Sequence, residues 1–396
     1  MLFEDKLAER TKTMGENIIR EILKVVSKPG MISLAGGIPS PESFPTELFQ
    51  ILLKNVQEKY ETTAFQYGQT EGFYPLQQAL VPLLKKEGII SEPNQIMITS
   101  GSQGTLDALG KVLINDGDLI ALETPTYLGA LTAFNPYGAK YIGIESDENG
   151  LIPESLEKIL KENIIKFVYI IPTFQNPTGN TLSMERRKEV ARIIKKYDAL
   201  LIEDNPYSSL RYRGEHLPSV TSMIPENSLY TSTLSKIFAP GLRIGYFVAP
   251  EIIRYWLTRA KQGIDLHTSS LNQALAAEYI SEGYLDIQVE KIVELYRPKL
   301  EAMLSALEKY MPKGYTWSKP EGGMFLWVVG PNHIDMKEVN KLAMENNIAF
   351  VPGEVFYSTP GQGKNTLRLN YTMISPKTID LAIKTLGKLF NSLPTE

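Results

Sequence analysis

Lys236 stands in a polar centre, Thr233-Leu234-Ser235-Lys236, and Pro240, Gly241 and Arg243 follow it. Apolar, β-branched-rich runs flank this centre in the stretch 228–248. One strand is expected to end near Thr231 and another to run from Ile244 to Val248. A lysine amine condenses with a carbonyl to give a Schiff base, which makes it a nucleophile with a chemistry of its own. Arg243 and the hydroxyls of Thr233 and Ser235 are groups that hold a phosphate. A carbonyl and a phosphate on one small molecule point to pyridoxal 5′-phosphate. Taken alone, the stretch is also compatible with an ordinary loop lysine and loop arginine.

The elements that must position these residues alternate along the chain. The runs LIALE (119–123), KYIGI (140–144), FVYII (167–171) and ALLIEDN (199–205) read as strands. Helical patterns separate them, one containing Tyr127, one over IPESLEKIL and one across 183–197. Such alternation predicts a mostly parallel sheet covered on both faces, with ligands beyond the carboxyl ends of its strands. Asn176, Asp204 and Tyr207 stand at such ends. Asp204 could cap the next element, or its carboxylate could pair with a protonated pyridine nitrogen and keep the ring an electron sink. Ile96–Thr99 reads as a strand, Gly101 as a turn and Gln103 onward as a helix, together a cradle of free N–H groups for an anion.

Elsewhere the pattern is plainer. Residues 1–11 read as a polar arm, and Thr13 to Ser27 as a helix that Pro29-Gly30 ends, with Arg20 off its apolar stripe. Gly36 and Gly37 follow a short strand, where the backbone turns or approaches something closely. Helices are expected over 46–60, from about Tyr74, over 251–262 and 271–281, and from about Leu285 to Tyr310. Tyr67 and His267 lie in loops. Beyond Pro312 short strands and fewer helices (YTWS, GGMFLWVV, a helix near 335–346, IAFV, TLRLNY, a terminal helix 376–391) read as a smaller α+β domain.

Composition narrows the function classes. Of 396 residues, 43% are hydrophobic and 22% charged, as in a globular enzyme with a large core. The net charge of −4 offers no footprint for nucleic acid or membrane, and neither partner is expected. With no cysteine, disulfides and thiolate metal sites are excluded, and three histidines without H-E-x-x-H make a histidine-based metal site unexpected. The start MLFEDKLAER lacks the apolar core of a signal peptide, and no apolar run approaches a membrane span, so a cytoplasmic location is expected.

The motifs N-P-T-G (176–179), E-D-N-P-Y (203–207), S-K-x-x-x-P-G-L-R (235–243) and T-L-R-L (366–369) resemble those of class I/II aminotransferases, fold-type I pyridoxal-phosphate enzymes. The resemblance covers nearly the whole chain. The stretches 19–24, 32–39, 66–72, 260–268 and 350–353 resemble the 2-aminoadipate/kynurenine/aromatic branch. It implies an α/β large domain with a mixed, mainly parallel seven-stranded sheet between helices, and a small α+β domain. Domains are expected at 1–45 (arm, gating helix and part of the small domain), 46–290 (large, cofactor-binding) and 291–396 (linking helix and C-terminal small domain).

The resemblance also implies roles. Lys236 holds pyridoxal 5′-phosphate as a Schiff base and shuttles the proton. Asp204 pairs with the pyridine nitrogen, Asn176 and Tyr207 with the phenolate oxygen, and Tyr127 stacks on the ring. Ser102, Gln103, Thr233, Ser235 and Arg243 bind the phosphate, joined by Tyr67 from the neighbouring subunit of a homodimer with shared sites. Arg368 grips the substrate α-carboxylate, assisted by Asn176 and the Gly37 backbone, and Arg20 is a candidate gate for acidic side chains. Asn205 replaces a second Asp of many relatives, Asn17 a small residue of some, and Thr233 a serine. The reaction implied moves an amino group from an L-amino acid (2-aminoadipate, aromatic or aliphatic) to a 2-oxo acid such as 2-oxoglutarate, in ping-pong fashion. A lyase or decarboxylase on the same fold remains an alternative, as does a cofactor-binding regulatory domain. The latter needs a DNA-binding part, which a chain starting at the family's N-terminal helix is not expected to carry.

Overall fold

The computed structural model describes residues 3–14 and 30–393. The helix expected over Thr13 to Ser27, with Asn17 and Arg20, lies outside these residues except for its first two positions.

Seven strands form the central sheet. They are β2 (Met97–Ser100), β3 (Leu119–Glu123), β4 (Lys140–Ile144), β7 (Val168–Ile170), β8 (Leu201–Asp204), β9 (Ser228–Thr233) and β10 (Ile244–Val248), after β1 at Ile32–Ser33 and with a short hairpin, β5 (Ser146–Asp147) and β6 (Gly150–Leu151), outside the sheet. The order is β2-β10-β9-β8-β7-β3-β4. β10 runs antiparallel to both of its neighbours and the other pairs are parallel. The sheet is therefore mixed and mainly parallel, as expected, and the fold is that of a fold-type I α/β enzyme.

Strand alternation divides the core between the two faces of this sheet. Phe167, Tyr169, Ile171, Ile202, Ile120 and Leu122 pack into one cluster, while Val168, Ile170, Leu201 and Ala121 pack into the other. The same parity splits the acidic pair at the end of β8. Glu203 turns to the second face and accepts hydrogen bonds from the Val220 and Thr221 N–H groups. Asp204 turns to the first. The capping role and the cavity-facing role thus both occur, on adjacent residues.

A second sheet, β11 (Thr316–Trp317), β12 (Phe325–Val329), β15 (Thr366–Asn370) and β14 (Val351–Pro352), lies in the C-terminal part, beyond the 27-residue helix Tyr284–Tyr310. The run IAFV is not one strand. Ile348–Ala349 forms β13, which pairs in parallel with β1, while Val351–Pro352 joins β15. The Leu34 carbonyl then accepts from the Asn370 N–H at 2.8 Å, which lays residues 34–37 beside Arg368.

Element boundaries shift by one to three residues from expectation, and two of the shifts bear on the site. β9 continues past Thr231 to Thr233, because Ser232 and Thr233 satisfy their hydroxyls within the fold: Ser232 donates to the Asn205 carbonyl and Thr233 to that of Ile244. The helix expected to contain Tyr127 starts at Leu128, with Tyr127 as the extended residue before it. Among the described residues no helix is long and apolar enough to cross a membrane.

Candidate active site

A cavity of about 540 Å³ opens at the carboxyl ends of the parallel strands. Gly37, Ser102, Gln103, Tyr127, Asn176, Asp204, Tyr207, Thr233, Ser235, Lys236, Arg243 and Arg368 all line it. Tyr67 does not: it is 79% exposed, its ring edge-on to His267 with centroids 5.8 Å apart.

One end of the cavity is built for an anion. β2 ends at Ser100, Gly101 turns the chain at φ 74°, and the helix Ser102–Leu113 begins with its unpaired N–H groups. On the facing side, Thr233 Oγ1 accepts from the Ser235 N–H at 3.2 Å and lies 2.8 Å from Ser235 Oγ. Arg243 adopts a left-handed conformation (φ 54°), uncommon for a residue with a side chain, and its guanidinium returns to the Ser100 carbonyl at 3.4 Å. A Cβ at Gly101 would come within 2.3 Å of Arg243 Nη2, so the arginine occupies space that only a glycine leaves open.

Lys236 is half-buried and donates to the Gly37 carbonyl at 3.2 Å. Burial, then the positive charges of Arg243 and Arg368, push its pKa down to about 8, against the pull of Asp204. Asp204 is 1% exposed. Burial pushes its carboxyl up to about 7, while the Tyr169 hydroxyl and Lys236 oppose the rise. Its Oδ2 accepts from Tyr169 at 2.8 Å, and its Oδ1 has no partner among the described residues.

Arg368 enters from the other sheet. It sits mid-strand on β15, opposite Trp327 of β12 and Val351 of β14. Its guanidinium lies over Phe325 at 4.2 Å and Phe356 at 4.9 Å. It donates to Asn176 Oδ1 at 2.8 Å and to the Ala35 carbonyl at 3.1 Å, and its buried Nε has no partner among the described residues. Among the described residues no carboxylate pairs with it, and burial pushes its pKa down to about 10. A buried cation held by neutral oxygens is a receptor for an anion.

The loop carrying Asn176 is tied at both ends by buried Arg187, which donates to the Pro172 and Leu182 carbonyls and to Thr173 Oγ1. Within it, Gln175 donates to the Pro125 carbonyl at 2.8 Å and accepts from Thr178. Asn176 Nδ2 lies 3.5 Å from the Tyr207 hydroxyl, and burial holds that phenol well above its ordinary pKa.

Several contributors escaped the sequence reading. The Ala35 carbonyl receives Arg368, and the rings of Phe325 and Phe356 lie under its guanidinium. Ile38, Leu128, Gly129 and Thr132 complete the wall. Tyr169 carries one faint signal, a hydroxyl inside the otherwise apolar run FVYII.

The donor set fits pyridoxal 5′-phosphate. An anion cradle, an amine of lowered pKa, and a buried carboxylate with one free oxygen stand around one cavity, each matched to a different part of that molecule. Residues 30–386 match the family described as aminotransferase class I and II, and the chain belongs to it. It is a pyridoxal-phosphate-dependent aminotransferase. It is 44% identical to aromatic-amino-acid aminotransferase 1 of Thermococcus litoralis over 98% of this chain and 94% of the relative. It is 38% identical to the 2-aminoadipate transaminase of Thermus thermophilus, over 95% of this chain and 94% of the relative. The crystal structure of a Pyrococcus horikoshii kynurenine aminotransferase, in complex with PMP, KYN as substrates and KYA as products, superposes with a TM-score of 0.93 at 43% identity. The match covers 98% of this chain and 97% of that one.

Proposed function

We propose that the chain transfers the amino group of an L-amino acid with an aromatic, aliphatic or 2-aminoadipate side chain to a 2-oxo acid such as 2-oxoglutarate. The two half-reactions share one site in ping-pong order. The observation that carries the reading is Arg368, a buried guanidinium 2.8 Å from Asn176 with no counter-charge among the described residues. It supports recognition of the one group all such substrates share, the α-carboxylate. The mixed wall of Ile38, Leu128 and Thr132 supports a broad side-chain range, as do the names of the relatives.

The residues then divide the work. When bound, pyridoxal 5′-phosphate supplies a cationic ring that draws electrons from the carbon losing its proton. Lys236 Nζ would anchor the group and would carry the proton from the substrate α-carbon and back. An amine whose pKa is lowered to about 8 is a better base at neutral pH than an exposed lysine that stays charged. Asp204 would pair with the ring nitrogen, Asn176 and Tyr207 with the ring oxygen, and Tyr127 would stack on the ring. Ser102, Gln103, Thr233, Ser235 and Arg243 would hold the phosphate. Gln103 contributes its backbone, since its side-chain amide already donates to the Gly129 carbonyl. The Gly37 backbone, which lies beside the Arg368 guanidinium, assists it at the substrate carboxylate.

Tyr67, exposed and outside the cavity of its own chain, supports a homodimer in which it serves the partner's phosphate site. The pairing of β1 with β13 supports placing the N-terminal segment up to about residue 45 in one small domain with 291–396, against a large domain over 46–290. A gate at Arg20 stays a proposal on residues outside those described.

The test is the near-visible absorption of the purified holoenzyme as amino acids are added singly. Discharge of the band by aminoadipate, glutamate, phenylalanine or leucine, and its return with 2-oxoglutarate, is expected. Lys236→Ala is expected to lose turnover with its fold intact, and normal transamination by that variant would refute the reading. A band that no amino acid discharges would also sink it.

A further inference from the structure

The residue behind Asp204 is Tyr169. It lies on β7, which pairs in parallel with β8 so that Tyr169 stands beside Ile202. Ile202 and Asp204 share a face two residues apart, so the Tyr169 ring points along the strand end toward the carboxylate. Its hydroxyl donates to Asp204 Oδ2 at 2.8 Å. The ring is fully buried and fixed edge-on by Phe134, with centroids 6.1 Å apart. Burial, then the charge of Asp204, raise the phenol well above its ordinary pKa, so it remains a donor at any working pH.

Two consequences follow from this geometry. A carboxylate rotates about its terminal bond with little resistance, and a single fixed donor on Oδ2 removes that freedom. The other oxygen, Oδ1, is left buried and without a partner on the cavity side. A buried acceptor without a donor is costly to keep, so its persistence marks a place where a ligand supplies the donor. A phenylalanine would fill the same space on β7 and need no partner. The hydroxyl is therefore what requires explanation.

We propose that Tyr169 is a positioning residue for the transamination site: its hydroxyl fixes the rotation of the Asp204 carboxylate and holds it as an anion, so that Oδ1 alone is presented to the ring nitrogen. The inference rests on the assignment of Asp204 to that nitrogen. Tyr169 touches neither cofactor nor substrate and acts through Asp204.

The experiment uses holoenzyme of Tyr169→Phe beside Asp204→Asn and wild type. A weaker anion at Asp204 leaves less positive charge on the ring, and the proton next to Lys236 Nζ is then held to higher pH. The pH midpoint of the near-visible band is expected to rise by about one unit in Y169F, since a hydrogen bond to a charged group is worth about that much. Cofactor loss on dialysis is expected to quicken about tenfold, on the same scale. Asp204→Asn is expected to move both readouts further. A lower unfolding temperature with an unmoved midpoint would make Tyr169 merely structural and overturn the proposal. Movement in D204N but not in Y169F would overturn it too, while leaving the Asp204 assignment in place. No movement in either would remove that assignment and the proposal with it. Should Y169F fail to fold, 3-fluorotyrosine at 169 keeps the ring and strengthens the donor. The midpoint should then fall, and an unchanged midpoint overturns the proposal.

Discussion

Arg368 of the four-stranded sheet donates to Asn176 Oδ1 at 2.8 Å, and Asn176 belongs to the loop after β7 of the seven-stranded sheet. One hydrogen bond thus joins the two sheets at the centre of the cavity. Its cationic partner lies over the rings of Phe325 and Phe356 and offers a buried Nε with no partner among the described residues. The fork is positioned before any substrate arrives.

Replacing Arg368 by Lys keeps the charge and removes the fork. Losing one charge-assisted hydrogen bond in a buried site costs about 1.5–3 kcal/mol, so kcat/KM for amino acids should fall by roughly 10- to 150-fold. Slow turnover of an amine that has no α-carboxylate should be unaffected. Steady-state kinetics on such a matched pair checks this. Equal losses on both would detach Arg368 from the carboxylate.

Asp204 should make stability depend on pH in opposite senses with and without cofactor. In cofactor-free protein its pKa is raised to about 7, above the roughly 3.9 of an unfolded chain. Between those values the folded state binds more protons than the unfolded one, so stability from this group falls as pH rises from about 4 to 7. Asp204→Asn removes that dependence. Cofactor-free D204N should match wild type near pH 4 and exceed it above pH 7, by an amount on the order of a few kcal/mol. Loaded with cofactor, the order should reverse, because wild type alone keeps the anion for the ring. Denaturant melts across pH on both forms measure it.

Much of this architecture was legible in the chain because parallel strands buried on both faces read as continuous apolar runs. LIALE and FVYII show it. The motif residues were legible because Lys236, Asp204, Asn176 and Arg368 sit in short stretches of unusual type. Three things were not legible. The break in IAFV depends on two different partner strands, which no local pattern encodes. The Ala35 carbonyl reaches Arg368 through backbone, which carries no residue identity. Tyr169 meets Asp204 only through the register of β7 on β8, and a tyrosine in an apolar strand reads as ordinary core. Tyr67 is a different case, because its own chain leaves it exposed and outside the cavity.

Gly101→Ala tests the anion cradle. The added Cβ would lie 2.3 Å from Arg243 Nη2 and 2.9 Å from its Cζ. The backbone there, at φ 74° and ψ 165°, lies in a region kept essentially for glycine and also disfavours any side chain by about 1–3 kcal/mol. The arginine tip is the softer element and should be displaced. Affinity for pyridoxal 5′-phosphate should fall about tenfold or more if one charged contact is lost. Affinity for pyridoxal, which lacks the phosphate, should barely change. Titrating both into cofactor-free protein separates the two, and a parallel loss would place the damage elsewhere than at the phosphate.

Asn176→Asp places a carboxylate where a neutral oxygen now accepts from Arg368. The buried cation, whose pKa is held down to about 10 by burial, would gain a permanent counter-charge, and its pKa should rise. The substrate α-carboxylate must then compete with an internal one for the same fork, while the Asn176 amide near Tyr207 is lost as a donor. KM for both amino acid and oxo acid should therefore climb about tenfold or more, as expected for displacing a charge-assisted bond. The unfolding temperature of the cofactor-free variant should hold or rise, because a buried charge without a counter-charge has acquired one. Activity and stability should thus move apart in this variant. Kinetics and thermal melts on the same preparation decide it. An unchanged KM would mean that Arg368 does not receive the substrate carboxylate.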